Sequence, residues 1–313
     1  MTSPVTTILA ANRTVNILGV PLAYGASMAG VDIGPAALRV AGLQERIEKL
    51  GYVVNDSGDI RLERSHRAAA RDDKLKYLSQ ISATCKLVAE EIEKTTAAHQ
   101  MPLILGGDHS IAIGSVAGVA SYLRNQDQTL GLLWFDAHAD MNTPETTPSG
   151  NIHGMPLAVL LGYGSSELTH IAGFSPKIEP RFCAHIGARD IDAGERELIR
   201  KLGIRFFTMR EIDERGMATC MDEAISIASS ATGGYAVTFD VDALDPVVAP
   251  GSGTLVRGGL TYREAHLGME KVAEAGGIRS LEVVEINTAL DVNNKTAELG
   301  VELILSALGK TIL

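Results

Sequence analysis

Residues 130–140, LGLLWFDAHAD, join a nearly continuous apolar run to alternating acidic and histidine side chains. The apolar part, 130–135, is typical of a parallel β-strand covered on both faces by helices. Short β-branched runs like it alternate with longer helical patterns along the whole chain, which indicates βαβ units on a parallel sheet. The sequence therefore predicts an α/β fold of three layers, a doubly wound, mostly parallel sheet with helices on both faces.

Eight strands and seven helices follow from this alternation. The predicted strands are 15–20, 52–55, 102–106, 130–136, 182–187, 204–208, 235–241 and 278–286. The predicted helices are 35–50, 74–99, 110–124, 193–202, 217–230, 262–276 and 295–309. No low-complexity linker or internal repeat divides the chain, so we expect a single domain over residues 1–313.

The composition disfavours several classes of partner. With 28 Lys and Arg against 38 Asp and Glu, the net charge of −10 is the wrong sign for binding nucleic acid or an anionic membrane. No apolar run is long enough to span a bilayer, and residues 1–7 lack the basic start of a secretory signal. Only three cysteines occur, without a metal-binding spacing, which fits a reducing compartment. We therefore expect a cytoplasmic protein.

Acidic and histidine side chains follow three of the predicted strands, at the carboxyl ends where parallel sheets bind ligands. In 136–140 and 240–242 they alternate with other residues, and an extended segment would place them on one face. Four carboxylates gathered at one edge would repel one another without a cation, so the group predicts bound positive charge. The candidate metal ligands are His109, Asp136, His138, Asp140, Asp240 and Asp242.

Six ligands are more than one open catalytic ion uses, whereas two ions that share carboxylates would use them all. Carboxylates and imidazoles without thiolates favour Mn²⁺ ahead of Zn²⁺, with Co²⁺ or Ni²⁺ as substitutes. Two such ions can lower the pKa of a shared water, which indicates metal-assisted hydrolysis. Phosphate-binding glycine motifs and a serine-hydrolase elbow are absent from the sequence. For any single aspartate here, a turn residue or a solvated carboxylate is an equally good interpretation.

The segments 106–110, GGDHS, 136–140, DAHAD, and 240–246, DVDALDP, together resemble the signatures of the ureohydrolase superfamily, the arginases and agmatinases. The resemblance spans nearly the whole chain and implies a single α/β domain of the arginase/deacetylase-like type with a dinuclear manganese centre at the sheet edge. One ion would be held by His109, Asp136, Asp140 and Asp240, and the other by Asp136, His138, Asp240 and Asp242.

Two further segments, 142–154, NTPETTPSGNIHG, and 187–195, GARDIDAGE, resemble the arginase branch. The resemblance implies hydrolysis of L-arginine to L-ornithine and urea, with a metal-bridging hydroxide that attacks the guanidinium carbon. The implied roles are Asn142, Ser149 and Asn151 for the α-carboxylate, Asp192 and Glu195 for the α-amino group, Glu285 and Thr254 for the guanidinium, and His153 as proton shuttle.

Some interpretations stay open at this stage. Glu285 alone could belong to a structural salt bridge, His153 could be an ordinary loop histidine, and Thr254 could serve a glycine-rich turn. Agmatine or 4-guanidinobutyrate could replace L-arginine as substrate, and a non-catalytic arginine-binding protein is a rival from another class. The family usually has proline where this chain has Thr288, which predicts a looser turn after Glu285. Relatives are trimers or hexamers, so we expect a homo-oligomer.

Overall fold

The computed structural model describes residues 14–62 and 74–311, so the predicted domain limits, residues 1 and 313, lie outside it. Its strands form one eight-stranded sheet in the order β2-β1-β3-β8-β7-β4-β5-β6, and every neighbouring pair is parallel. All eight predicted strands are confirmed. They are β1 (Thr14–Val20), β2 (Val53–Asp59), β3 (Met101–Gly106), β4 (Gly131–Phe135), β5 (Cys183–Ala188), β6 (Arg205–Thr208), β7 (Tyr235–Asp240) and β8 (Ile278–Val284).

Six of the seven predicted helices are confirmed as continuous, and the prediction of a single helix over 35–50 is wrong. Two helices occupy that segment, because Gly42 lies between them with φ 80°, a left-handed conformation that interrupts the helix. Within the described residues, three short α-helices were not predicted: Pro156–Leu160, Ser166–Thr169 and Met209–Arg215. The α-helices are Gly34–Val40, Leu43–Glu48, Leu78–Ala97, Ala112–Arg124, Pro156–Leu160, Ser166–Thr169, Ala193–Leu202, Met209–Arg215, Met217–Ala228, Tyr262–Ala275 and Lys295–Ala307.

The sheet separates two hydrophobic cores. Along β4, Leu133 and Phe135 pack into one core and Leu132 and Trp134 into the other, as expected when successive side chains point to opposite faces. Helices cover each core, so both faces of the sheet are buried, which explains the nearly continuous apolar run. The predicted three-layer architecture is confirmed.

The strand order brings the polar segments together. The five strands β3, β8, β7, β4 and β5 are neighbours in the sheet, and all are parallel, so their carboxyl ends lie at one edge. Each continues into one of the segments singled out in the sequence, and a parallel sheet commonly binds its ligand outside this edge. Over 14–62 and 74–311, no helix is both long and apolar enough to cross a membrane.

Candidate active site

Three of these strands lead into the same kind of turn. In each turn an aspartate carboxylate accepts a hydrogen bond from the backbone N–H two residues later, a common way for aspartate to stabilise a turn. These bonds join Asp108 to Ser110 at 3.1 Å, Asp136 to His138 at 2.7 Å and Asp240 to Asp242 at 2.8 Å.

The turns correct one step of the sequence argument. An extended conformation was expected for 136–140, but β4 ends at Phe135 and Asp140 has a left-handed backbone with φ 51°. The side chains are close together because the chain turns back on itself after the strand. The predicted proximity is confirmed, but the alternation along a strand is not its cause.

His109 lies at the centre of one group of candidate ligands. Its Nδ1 atom is 3.1 Å from Asp136 Oδ2, 3.2 Å from Asp140 Oδ2 and 3.2 Å from Asp240 Oδ2. All four side chains are buried. Three of them, His109, Asp136 and Asp140, offer ligand atoms that lie within 4.8 Å of one another, close enough to hold a metal ion.

His138 lies at the centre of a second group. Its Nδ1 atom is 3.1 Å from Asp242 Oδ2 and 3.5 Å from Asp136 Oδ1. Asp136 therefore presents one carboxylate oxygen to each histidine, and both groups include it. Asp240 was expected to be shared in the same way, but in the described part of the chain it belongs to neither group of mutually close ligands, and its Oδ2 faces His109.

The chemistry of the first group fits a divalent cation. His109 Nδ1 and Asp140 Oδ2 are buried without a hydrogen-bond partner, which is costly unless a ligand satisfies them. Burial, and next the charge of Asp136, raise the pKa of Asp140 to about 7. A bound cation would remove this repulsion, and oxygen and imidazole donors suit Mn²⁺ or Zn²⁺.

Trp134 supports the first group and was missed in the sequence. Its Nε1 donates a hydrogen bond to Asp136 Oδ2 at 3.0 Å, and its ring stacks on His109 with ring centroids 4.2 Å apart. The signal was available, because Trp134 is the chain's single tryptophan and lies two residues before Asp136.

A pocket opens over the His109 group. All six predicted substrate-binding residues line it, together with His153, whereas Glu285 is buried and is not part of the lining. Thr147 and Asp190 also line the pocket and were missed, although both lie in segments that carry the resemblance. The predicted lining residues are Asn142, Ser149, Asn151, Asp192, Glu195 and Thr254.

Long-range contacts hold the pocket wall. Asn142 Nδ2 donates to Asp192 Oδ2 at 2.9 Å, which joins the two arginase-like segments. Asn151 Nδ2 donates to Ser27 Oγ at 2.6 Å, and Lys76 Nζ donates to Asn151 Oδ1 at 3.4 Å. Ser27 and Lys76 carry no motif, so sequence reasoning had no signal to find them.

Two of the predicted substrate-binding residues, Glu195 and Thr254, use their side chains to hold neighbouring parts of the site. Glu195 accepts backbone N–H groups of Met141 at 2.9 Å and Asp192 at 2.8 Å, so it fixes the start of the helix Ala193–Leu202. Thr254 Oγ1 donates to Asp242 Oδ2 at 2.9 Å, and this bond orients a candidate metal ligand.

Glu285 and His153 form an ion pair, with His153 Nδ1 2.9 Å from Glu285 Oε1. The same oxygen accepts the backbone N–H of His109 at 2.9 Å, and Glu285 has a left-handed φ of 63°. Burial alone would lower the pKa of His153, but the charge and hydrogen bond of Glu285, together with the charges of Asp108 and Asp140, outweigh burial and raise this pKa to about 9. A buried carboxylate in a sparsely populated backbone conformation, paired with a histidine of the pocket lining, is typical of a functional residue.

The turn after Glu285 is held without the proline of the family. Asn287 is buried, its Nδ2 donates to Ala29 O at 3.0 Å, and its Oδ1 accepts the N–H of Ala289 at 3.1 Å. The side chain of Asn287 therefore stabilises the turn that was expected to be looser with Thr288.

Comparisons with known proteins agree with this geometry. Residues 13–309 match the Arginase family. The arginase of Brevibacillus brevis is 47% identical over 302 residues, which are 96% of this chain and all of that protein. The native structure of Bacillus caldovelox arginase superposes with a TM-score of 0.91 at 46% identity, covering 96% of this chain and 99% of that one. An Entamoeba histolytica arginase in complex with L-ornithine gives a TM-score of 0.88 at 29% identity, with 96% and 99% coverage. The chain therefore belongs to the arginase family and is a hydrolase of that family.

Proposed function

We propose that this protein hydrolyses L-arginine to L-ornithine and urea at a dinuclear manganese centre. The observation that carries the proposal is that one pocket brings the histidine and carboxylate groups around His109 and His138 beside the residues assigned to an α-amino acid. The E. histolytica arginase complexed with L-ornithine, the product expected here, supports the choice of substrate.

Two ions are proposed, and Asp136 would help to hold both, because its two oxygens face different histidines. One ion would be held by His109, Asp136, Asp140 and Asp240, and the other by Asp136, His138 and Asp242. Asp240, whose Oδ2 faces His109, is proposed as a ligand of the second ion as well. When bound, the ions supply electrostatic activation of water near neutral pH.

The substrate would be positioned by charge at both ends. Glu285 is buried as an anion: burial raises the pKa of this carboxyl, but the charge and hydrogen bond of His153 and the N–H of His109 together keep the pKa below its ordinary value. A planar guanidinium can take a charge-assisted pair with it. At the other end, Asn142, Ser149 and Asn151 would donate hydrogen bonds to the α-carboxylate, and Asp192 would accept them from the α-amino group. Glu195 and Thr254 would act through their neighbours.

His153 would supply the proton for the departing amine. Its raised pKa depends on Glu285, so a guanidinium that pairs with Glu285 would lower the pKa of His153 toward the ordinary histidine value. The imidazolium then becomes a stronger acid at the stage when the amine nitrogen of ornithine needs a proton.

The test is urea release by manganese-loaded protein from L-arginine, agmatine and 4-guanidinobutyrate in parallel, with chelated protein as control. Urea from L-arginine alone is expected. A preference for agmatine or 4-guanidinobutyrate would contradict the assignment of 142–154 and Asp192, and arginine binding without urea release would favour the non-catalytic rival.

We also propose a cytoplasmic homo-oligomer, a trimer or hexamer, with no nucleic-acid or membrane partner. The three cysteines are free and buried, which supports a reducing compartment, and the net charge of −10 supports the absence of a polyanionic partner. Light scattering of the purified protein would give the number of subunits, and a monomer would contradict the assembly.

A further inference from the structure

A buried chain of hydrogen bonds begins at His109, on the side of the ring that faces away from the carboxylates. His109 Nε2 lies 2.9 Å from Thr238 Oγ1, and Thr238 Oγ1 donates to Glu282 Oε1 at 2.8 Å. The other carboxylate oxygen of Glu282 accepts a hydrogen bond from Ser115 Oγ at 2.6 Å. None of these four side chains is more than 2% exposed.

We propose that Thr238 and Glu282 are positioning residues for the metal centre, because they hold His109 with its bare Nδ1 toward the carboxylates. This inference rests on the proposed function in one respect, that the His109 group binds a metal ion. Neither residue belongs to the motifs that carried the resemblance, and neither reaches the pocket.

The single proton of the threonine hydroxyl decides which nitrogen of His109 is protonated. Thr238 uses it to donate to Glu282, so only a lone pair of Oγ1 remains for His109. His109 Nε2 must then carry a ring proton, so Nδ1 is the nitrogen that can give its lone pair to a metal. A histidine whose second nitrogen is bonded in this way is oriented before the ion arrives.

The backbone makes this arrangement rigid. Thr238 on β7 and Glu282 on β8 are direct partners in the parallel register of the two strands. Ser115 reaches Glu282 from the helix Ala112–Arg124, and Trp134 stacks on the His109 ring from β4. The ring is thus held by groups from several elements, and its rotation would break the bond to Thr238.

The second histidine provides an internal comparison. The His138 side chain is 28% exposed, and no hydrogen bond to its Nε2 occurs within residues 14–62 and 74–311. His185 Nε2 lies 2.6 Å from the backbone carbonyl oxygen of His138. This contact positions the main chain of His138 but leaves its ring nitrogen without a partner of this kind. Loss of the Thr238 hydroxyl should therefore weaken one ion and spare the other.

The experiment is a titration of the chelated full-length protein with Mn²⁺, in which the free ion is counted by its electron paramagnetic resonance signal. Thr238→Val removes the hydroxyl at constant shape, and Thr238→Ser retains it. Thr238→Cys has nearly the size of serine but a weak donor and acceptor, so the Cys and Ser variants carry the test if Val does not fold. Thr96→Val is the matched control. It also removes a buried hydroxyl, which donates to Ile92 O at 2.7 Å, but Thr96 lies far from Thr238 in the sequence.

Wild type, Thr238→Ser and Thr96→Val should bind two ions tightly. Thr238→Val and Thr238→Cys should lose affinity for one ion by about 10- to 100-fold and keep the other, the usual range for a partner of a metal-bound histidine. If Thr238→Val and Thr238→Cys bind both Mn²⁺ ions as tightly as wild type, the inference is wrong and the proposed function stands. The same holds if Thr238→Ser binds Mn²⁺ as weakly as Thr238→Val. A wild-type protein that binds no Mn²⁺ overturns both.

Discussion

The sheet edge and the loop 142–154 form two sides of one pocket, and they are held by different means. At the edge, the candidate metal ligands follow β3, β4 and β7 and contact one another, so the strand order places them. In the loop, Asn151 is held by contacts to segments distant in sequence. Substitutions at the sheet edge should therefore abolish urea release, whereas substitutions in the loop should mainly weaken substrate binding.

The largest effect is expected at the edge, from Asp136→Ala. Asp136 offers one oxygen to each histidine group, so its removal should weaken both proposed ions. Even a partner that only supports a metal ligand is worth about 10- to 100-fold, so we expect a loss of more than about 100-fold in urea release. Metal content by mass spectrometry and urea release from L-arginine are the measurements.

The control for this variant is Asp222→Ala, which removes an aspartate whose side chain is 67% exposed and paired with Lys271 at 2.7 Å. It should keep both metal and activity. If Asp136→Ala retained two ions, the shared-carboxylate arrangement would be wrong.

The next effect concerns the ion pair of His153 and Glu285, which connects the loop to the edge. The pKa of His153 is raised from 6.5 to about 9, so the pair stabilises the chelated protein fully below about pH 6.5, and this contribution is lost as the pH rises through about 9. The shift corresponds to about 3 kcal/mol at most.

The measurement is the urea concentration at half-unfolding of chelated protein between pH 6 and pH 10, for wild type and Glu285→Gln. Glutamine keeps an acceptor for the His109 N–H but carries no charge, so the wild-type midpoint should fall with pH relative to the variant. Parallel curves would show that the pair does not raise the pKa of His153.

A smaller effect is expected from Ser149→Ala, in the loop. Hydrogen bonds to a charged group contribute about 1.5–3 kcal/mol, so loss of a contact to the α-carboxylate should raise KM for L-arginine by about 10-fold or more. Metal content and kcat should stay near those of wild type, because Ser149 contacts no metal ligand in the described residues but accepts the N–H of Asn151 at 3.2 Å. Ser230→Ala, at an exposed serine outside the pocket lining, is the matched control; equal KM values for the two variants would remove Ser149 from the substrate site.

The same contrast explains what the sequence could predict. Ligands such as Asp136 and His109 directly follow apolar strands, and a parallel sheet brings such positions together, so their proximity could be inferred before the structure was known. The turns after the strands could not, because the left-handed conformation of Asp140 depends on the surrounding packing. Contacts between elements, such as Lys76 with Asn151 or Thr238 with Glu282, depend on register and chain path, which no local pattern reports.

The smallest effect is expected from Lys76→Met, because Lys76 contacts the loop 142–154 from outside it. Lys76 Nζ lies 3.4 Å from Asn151 Oδ1, and the side chain is half-buried, so its charge reaches the proposed α-carboxylate site through partly exposed surroundings. Charge interactions of this kind contribute about 0.2–1 kcal/mol, which predicts a rise in KM for L-arginine of up to about 5-fold. The rise should shrink as salt is added, because screening weakens the interaction already present in wild type. Lys86→Met, at an exposed lysine on the helix Leu78–Ala97, loses the same charge away from the pocket and should leave KM unchanged. An equal rise in both variants would mean that Lys76 acts only through the net charge of the protein, and the loop would then depend on Ser27 and its own turns.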